Sequence, residues 1–302
     1  METRHKRDLE MRLGEGLSWD SPMTGYTTFQ VGGAAEAFYR ATDLMGLLKL
    51  VAYLINEDIP YLVIGRGSNL LVKDAGIRGV VIHLSGSMAG IEYERRQGTV
   101  MAGAGLSIQE LLSECRDRGL GGLEFLAGIP GTVGGAVAMN AGAFGNEVGE
   151  RVEAIRGVTP QGTAIQREKG ELRFSYRNLE LDPGTIITQV RIRLEPRPRE
   201  AVSEGIAGYL RQRKALQPLD YPSAGSVFKN PVDDYAGRLI EAAGLKGKRV
   251  GGAMVSEKHA NFIVNTGGAT ASDILALMRL IQREVKRFSG IRLEPEIRIA
   301  GE

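Results

Sequence analysis

Three short segments gather the side chains that acid–base or anion-stabilising chemistry needs. Phe174-Ser-Tyr176-Arg177-Asn178 sets a phenol beside a guanidinium just ahead of a Pro183-Gly184 turn. Pro222-Ser-Ala-Gly225-Ser226-Val-Phe-Lys229-Asn230-Pro231 packs a hydroxyl, a cation and an amide between prolines, and Glu294-Pro295-Glu296-Ile-Arg298 lies near the C-terminal end of the sequence. A hydroxyl, a guanidinium and a carboxylate are the groups that give up a proton, balance a developing anion and orient a polar network. Each segment also has a plainer reading: an exposed loop arginine, an ordinary turn, the solvated face of a strand.

Two further segments offer backbone instead of side chains. Ala127 to Gly145 is nearly stripped of bulk, and its Ile129, Val133, Val137, Met139 and Phe144 mark a packed segment, not a flexible tether. Gly65-Arg66-Gly67-Ser68-Asn69-Leu70-Leu-Val72, between two strand-like runs, lets successive amides point one way and form an anion-binding concavity suited to a pyrophosphate. Ser68 and Asn69 add side-chain hydrogen bonds there and Arg66 a charge-assisted one, although many tight turns look similar. Neither segment fits the Rossmann or Walker A spacing. A dinucleotide held by two glycine elements outside those schemes points to a clamped flavin.

The whole-chain numbers narrow the classes. At 302 residues, 43% hydrophobic and 25% charged, the chain can bury a sizeable core and reads as a multi-domain globular protein. A net charge of +2 does not suggest nucleic acid, and the basic Arg4, His5, Lys6 and Arg7 read as a solvated arm. No apolar run approaches a membrane span, the first residues lack a signal-peptide core, and the lone Cys115 forms no internal disulfide. A cytoplasmic monomer is the expectation. Three scattered histidines, His5, His83 and His259, disfavour a histidine-centred metal or a Ser-His-Asp hydrolase, with His83 structural.

These segments need elements to hold them. Thr42 reads as the cap of a helix carrying Leu44, Leu47, Leu48, Val51, Leu54 and Ile55, followed by strands at Tyr61–Ile64 and Val80–Leu84. A second unit begins near Gly98 with a strand at Thr99–Ala102 and a helix opened by a Ser107/Glu110 capping box. Val152–Val158 and Thr185–Leu194 read as strands, and Glu195-Pro-Arg-Pro-Arg-Glu200 as a domain boundary. Thr270 and Asp273 start a helix that Gly290 stops. In a closing strand, Ile291, Leu293, Ile297 and Ile299 share one face, and Glu294, Glu296 and Arg298 the polar one.

Taken together, Thr27-Thr-Phe-Gln-Val-Gly-Gly33, the Gly65–Val72 loop, Gly128-Ile129-Pro130-Gly131-Thr132-Val-Gly134-Gly135, Tyr176-Arg177, Gly225-Ser-Val-Phe-Lys-Asn-Pro231 and Glu294-Pro-Glu-Ile-Arg298 resemble the UDP-N-acetylenolpyruvoylglucosamine reductase family. The chain is similar to its shorter, type II members. The resemblance implies an α+β fold: a two-subdomain FAD-binding domain of the vanillyl-alcohol-oxidase (PCMH) type, then a C-terminal α+β substrate-binding domain. The expected divisions are an arm at 1–20, subdomains at 21–85 and 86–195, and a substrate domain at 196–302. It implies NADPH-dependent reduction of UDP-N-acetylglucosamine enolpyruvate in peptidoglycan precursor synthesis, with FAD bound non-covalently by Gly65–Leu70, Gly128–Thr132, Gly134, Gly135 and Asn140. By the same resemblance Ser226 is the general acid, Arg177 faces the substrate carboxylate and Glu296 helps hold its polar network. Tyr176 positions substrate or nicotinamide, Lys214 and Asn230 match positions near the diphosphate, and Lys229 adds positive potential. The alternative is another FAD oxidase or dehydrogenase of this fold, acting on an alcohol or sugar. Such enzymes often tether flavin through His or Cys, and neither occurs in the two glycine segments.

Overall fold

The computed structural model describes residues 1–93 and 98–302. Its chain separates into two compact units, one of Met1–Trp19, Glu36–Arg66 and Arg78–Arg211, the other of Asp20–Ala35, Gly67–Ile77 and Gln212–Glu302. This differs from the expected divisions at 20/21, 85/86 and 195/196. The reason is packing between distant stretches: Phe29, Val31 and Leu71 share a core with Leu239, Ile263, Leu277 and Ile281, which a linear reading for linkers cannot see.

The first unit is built on a five-stranded antiparallel sheet ordered Ala164–Glu168, Val152–Val158, Ile186–Arg193, Thr99–Gly103, Ile91–Tyr93. Its strands are β-branched where they face the core: Val152, Ile155, Val158, Ile186, Val190 and Ile192 are all buried. Tyr61–Ile64 runs parallel to Val80–His83 in a second, four-stranded sheet. Helix α1 (Thr3–Leu13) corrects the expectation of a solvated arm, because His5 and Leu9 are buried and Leu13 packs against the core. One residue in four facing inward makes a stripe that the surrounding charges hide. His5 Nδ1 lies 3.2 Å from Tyr53 Oη, and the terminal amine pairs with Glu36.

Helix α2 (Leu44–Asn56) is capped by Asp43, not Thr42, since Asp43 Oδ1 accepts the Gly46 amide at 2.8 Å. Helix α3 (Ile108–Asp117) opens with the expected Ser107/Glu110 capping box, and the six-residue α4 (Val133–Ala138) follows the bare glycine segment. The proline-rich boundary is instead a short strand, Glu195–Pro196, paired with Leu120–Gly121. It leads directly into helix α5 (Arg199–Leu216). Gly205, a poor helix former, lies over a buried carboxylate in that helix: a Cβ there would sit 3.1 Å from Glu124 Cγ.

In the second unit, helix α6 (Ala236–Ala242) and helix α7 (Ala271–Ser289) enclose a core with a three-stranded sheet, Arg249–Val250, Ala253–Val255 and Ile263–Asn265. The Thr270/Asp273 capping box and the left-handed Gly290 stop are both present. The expected closing strand is reduced to Arg298–Ala300, parallel to Leu70–Val72. Pro295 lacks the amide a longer ladder requires, and the alternation fails with it, Ile299 being 42% exposed while Leu293 and Ile297 are buried. No described helix is long and apolar enough to cross a membrane.

Candidate active site

In the first unit the two glycine elements meet. Gly65 ends the strand Tyr61–Ile64, and a Cβ on it would stand 2.4 Å from Thr132 Oγ1. Thr132 is buried and caps α4 by accepting the Gly135 amide at 3.3 Å. The segment is strapped along the chain at 104–108 by Ile108 N to Gly131 O at 3.0 Å, Val133 N to Leu106 O at 2.8 Å and Gly134 N to Ala104 O at 2.8 Å. Gly134 therefore has a different reason from the one expected of it. A Cβ at Gly134 would overlap Ala104 Cβ at 2.7 Å, so its bareness serves packing within the protein. Gly128, Pro130 and Gly135 are exposed and Ile129 half-buried, a smooth face with few side chains on which a flat ring can rest. Beneath Gly65, His83 is stacked on Phe38 with centroids 6.3 Å apart. Burial holds its imidazole below the ordinary value, against the pull of the Ile64 and Gly65 carbonyls.

Arg177 belongs to the same unit. Strands Phe174–Ser175 and Asn178–Leu179 pair so that Tyr176 and Arg177 form the two-residue turn between them. Arg177 has φ +58, and its guanidinium carbon lies 4.9 Å from the Tyr176 ring centroid. A non-glycine residue held there stores roughly 1–3 kcal/mol of strain that its surroundings must enforce. Asn140 is 1% exposed, and both its amide nitrogen and its oxygen are bonded inside the protein. Whatever it offers a cofactor comes from its backbone.

The rest of the cofactor loop belongs to the second unit. Gly67 has φ +60 and fits tightly on the Tyr26–Thr27 backbone, with a Cβ reaching 2.1 Å from Tyr26 O. Asn69 donates to the Glu296 carbonyl at 3.1 Å and accepts from the Arg298 amide at 2.9 Å, so its side chain ties the loop to the chain at Glu296. Leu70 is buried in its strand, Ser68 is half-buried and Arg66, the last residue of its stretch in the first unit, is exposed. Thr28, whose amide bonds Gly67 O at 3.3 Å, has a buried hydroxyl without a partner among the described residues. An orphan hydroxyl beside a glycine turn suits a phosphate oxygen, so these residues fit a dinucleotide.

Ser226 and Glu296 come together in this unit on adjoining segments. Ser226 follows Gly225, at φ +74, and forms a bridge with Phe262. Glu296 N donates to Val227 O at 2.8 Å, and Lys229 N to Glu294 O at 2.9 Å. On the other side Asn261, 3% exposed, clamps the serine segment three times. Its carbonyl accepts the Val227 amide at 2.8 Å, its Oδ1 the Phe228 amide at 3.0 Å, and its Nδ2 donates to Phe228 O at 2.8 Å. The Ser226 hydroxyl itself makes no hydrogen bond among the described residues and is half-buried, the state of a donor left for a ligand. Lys229 Nζ is 3.8 Å from Glu294 at the surface. Asn230 Oδ1 accepts the Ala236 amide at 3.1 Å at the start of α6, and its amide nitrogen donates to no group among the described residues. Lys214 is exposed near the end of α5, its carbonyl held by Lys258 Nζ at 2.5 Å.

The sequence did not single out Asn261 or the Thr28 hydroxyl, and it offered Asn140 for cofactor binding, not for the bonds it makes to Glu147, Ser175 and Gly149. The signal for Asn261 was a polar residue inside the apolar run Ala260-Asn-Phe-Ile-Val264, where burial demands partners.

Comparison with known proteins matches a family model, the C-terminal domain of UDP-N-acetylenolpyruvoylglucosamine reductase, to residues 217–300. An FAD-binding domain model matches residues 35–167. A UDP-N-acetylenolpyruvoylglucosamine reductase from Geobacter metallireducens is 51% identical over 285 residues, covering 94% of this chain and 93% of the relative. One from Alkalilimnicola ehrlichii is 46% identical over 96% of both chains. The crystal structure of the UDP-N-acetylenolpyruvylglucosamine reductase from Thermus caldophilus superposes with a TM-score of 0.81 at 40% identity, over 94% of this chain and 98% of that one. The α+β fold with an FAD-binding domain of the vanillyl-alcohol-oxidase type is thereby established.

Proposed function

This chain belongs to the UDP-N-acetylenolpyruvoylglucosamine reductase family, and from that premise we propose that it reduces UDP-N-acetylglucosamine enolpyruvate to UDP-N-acetylmuramate, using NADPH, in peptidoglycan precursor synthesis. The observation that carries this reading is the joint match of an FAD-binding model to the region of the bare glycines and of the reductase's own C-terminal model to the region of Ser226 and Glu296. The chemistry FAD supplies when bound is hydride transfer from NADPH to the enolpyruvyl double bond. Gly65, Arg66, Gly67, Ser68 and the Gly128–Gly135 segment would hold it without a covalent tether, Thr28 adding a hydroxyl. A reaction that consumes NADPH and a nucleotide sugar accords with the expected cytoplasmic setting.

The side-chain roles follow from what the reduction leaves behind. Hydride addition at the terminal carbon pushes negative charge onto the neighbouring carbon and its carboxylate. We assign Arg177 to that carboxylate, because a fixed guanidinium opposes the charge as it forms. Ser226 Oγ then delivers its proton to the carbon and regains one from solvent. A serine hydroxyl is a weak acid, but the carbon it protonates is a far stronger base. The unshared hydroxyl of Ser226 and the three-point clamp by Asn261 support this assignment. Glu296 orients the polar groups around the same carboxylate, its chain position fixed by Val227 and Asn69. Tyr176 orients the ligand beside Arg177, and Lys214, Lys229 and Asn230 receive the diphosphate. Product analysis tests the whole: incubation with NADPH and UDP-N-acetylglucosamine enolpyruvate is expected to yield the lactyl ether stoichiometrically with NADP⁺. NADPH oxidation without that product would contradict this reading.

A further inference from the structure

We infer that Asn140, acting with Glu147, is a positioning residue for Arg177. The buried amide locks the strained turn that carries the guanidinium. The inference rests on the reading of Arg177 given above.

The geometry is specific. Asn140 Nδ2 donates to Glu147 Oε2 at 2.7 Å and to the Ser175 carbonyl at 3.0 Å, while Oδ1 accepts the Gly149 amide at 3.0 Å. Ser175 pairs with Asn178 across the hairpin, so the carbonyl that Asn140 holds is the last fixed point before Tyr176 and Arg177. One side chain thus joins three stretches: the hairpin of Gly142–Ala143 and Asn146–Glu147, the turn at Val148–Arg151, and the Arg177 hairpin. There is little slack between them, since a Cβ on Gly149 would lie 2.6 Å from the Phe174 ring and 2.8 Å from Asn140 Oδ1.

The guanidinium sits against this assembly. A Cβ at Gly142 would stand 3.3 Å from Arg177 Nη1 and 3.0 Å from Glu147 Cγ, so the arginine and the stem of the glutamate flank the same bare residue. Asn140 itself has φ +40, a conformation asparagine tolerates better than most side chains. Removing the amide would free Ser175 O, leave the Gly149 amide unmatched and let the Arg177 turn relax out of its left-handed conformation.

The test uses the FAD-loaded enzyme and a double-mutant cycle of Asn140→Gly, which keeps the positive φ, with Arg177→Ala. Stopped-flow absorbance follows reduction by NADPH and reoxidation by UDP-N-acetylglucosamine enolpyruvate. Calorimetry follows binding of that substrate to the oxidised protein. Reoxidation by Asn140→Gly should fall about 10–100-fold, the scale of a small misplacement of a reacting group. Its loss should exceed any change in reduction at least about tenfold, with weaker substrate binding. In the Arg177→Ala background the same substitution should add less than about threefold to either quantity. Wild-type reoxidation by Arg177→Ala would overturn the reading of Arg177 itself. A slow Arg177→Ala beside an unaffected Asn140→Gly, or losses that multiply in the double variant, would overturn the positioning role alone. Should Asn140→Gly fail to fold, Glu147→Ala takes its place in the cycle with the same criteria.

Discussion

The two units carry their candidate residues in opposite ways. The first offers a smooth backbone face at Gly128–Gly135 and one strained arginine, while the second offers a half-buried hydroxyl whose segment is clamped by Asn261 and joined to that of Glu296. In the first unit a residue matters for what it lacks, in the second for what it carries. The difference also sorts the glycines. Gly65 and Gly134 are bare because Thr132 and Ala104 fill their space, whereas Gly135 has only ordinary contact with Thr132 and faces outward.

Breaking the second unit's contribution should have the largest effect. Ser226→Ala is expected to be reduced by NADPH normally but to reoxidise with the enolpyruvyl substrate about 10²–10⁴-fold more slowly in stopped flow. An unchanged rate would remove the serine from the reaction. In the first unit, a pair of substitutions separates packing from ligand contact. Gly134→Ala forces its methyl against Ala104 and should destabilise the apoprotein by roughly 1–3 kcal/mol in denaturant titration. Gly135→Ala should leave apoprotein stability equal or about 0.5–1 kcal/mol higher, as alanine outranks glycine in a helix, while weakening flavin retention. Equal flavin retention by wild type and Gly135→Ala would mean that this face does not meet the cofactor.

Smaller effects sharpen the contrast. Asp74 accepts the Ala271 and Ser272 amides at 2.8 and 2.9 Å and the Ser272 hydroxyl at 2.5 Å, all at the start of α7. Burial raises its carboxyl pKa, but these hydrogen bonds outweigh it and leave the value below the ordinary one. Its stabilisation is thus complete above about pH 4 and lost as pH falls through the folded value, and Asp74→Asn should lower stability at pH 7 by about 1 kcal/mol. His83 follows the same direction through another cause. Burial favours its neutral form, so protonation opposes folding: stability is full above about pH 6.5 and declines as pH falls toward the depressed folded value. His83→Gln should flatten the fall in Tm between about pH 6.5 and 5, and an unchanged slope would contradict this.

Local signals were legible where local forces decide. The Ser107/Glu110 and Thr270/Asp273 capping boxes and the strand Val152–Val158 formed as their residues dictate. The reading failed where distant contacts decide. Two prolines and Gly205 hid α5, whose glycine answers to Glu124 some eighty residues earlier in the chain. The one-in-four inward stripe of α1 was masked by its charges, and Pro295 ended a strand whose hydrophobic alternation seemed to promise more. Among the candidate residues, side-chain types singled out Ser226, Arg177 and Glu296. Asn261 and the bracing role of Asn140 were not legible, because hydrogen bonds to backbone leave no spacing in sequence.

The proposed reaction passes hydride from NADPH by way of bound flavin to an enolpyruvyl sugar nucleotide. Under anaerobic conditions the yellow protein should bleach with one equivalent of NADPH and, after UDP-N-acetylglucosamine enolpyruvate is added, recover its colour while UDP-N-acetylmuramate forms. A protein that bleaches but stays colourless with that substrate, and recovers only on admitting oxygen, would contradict the account.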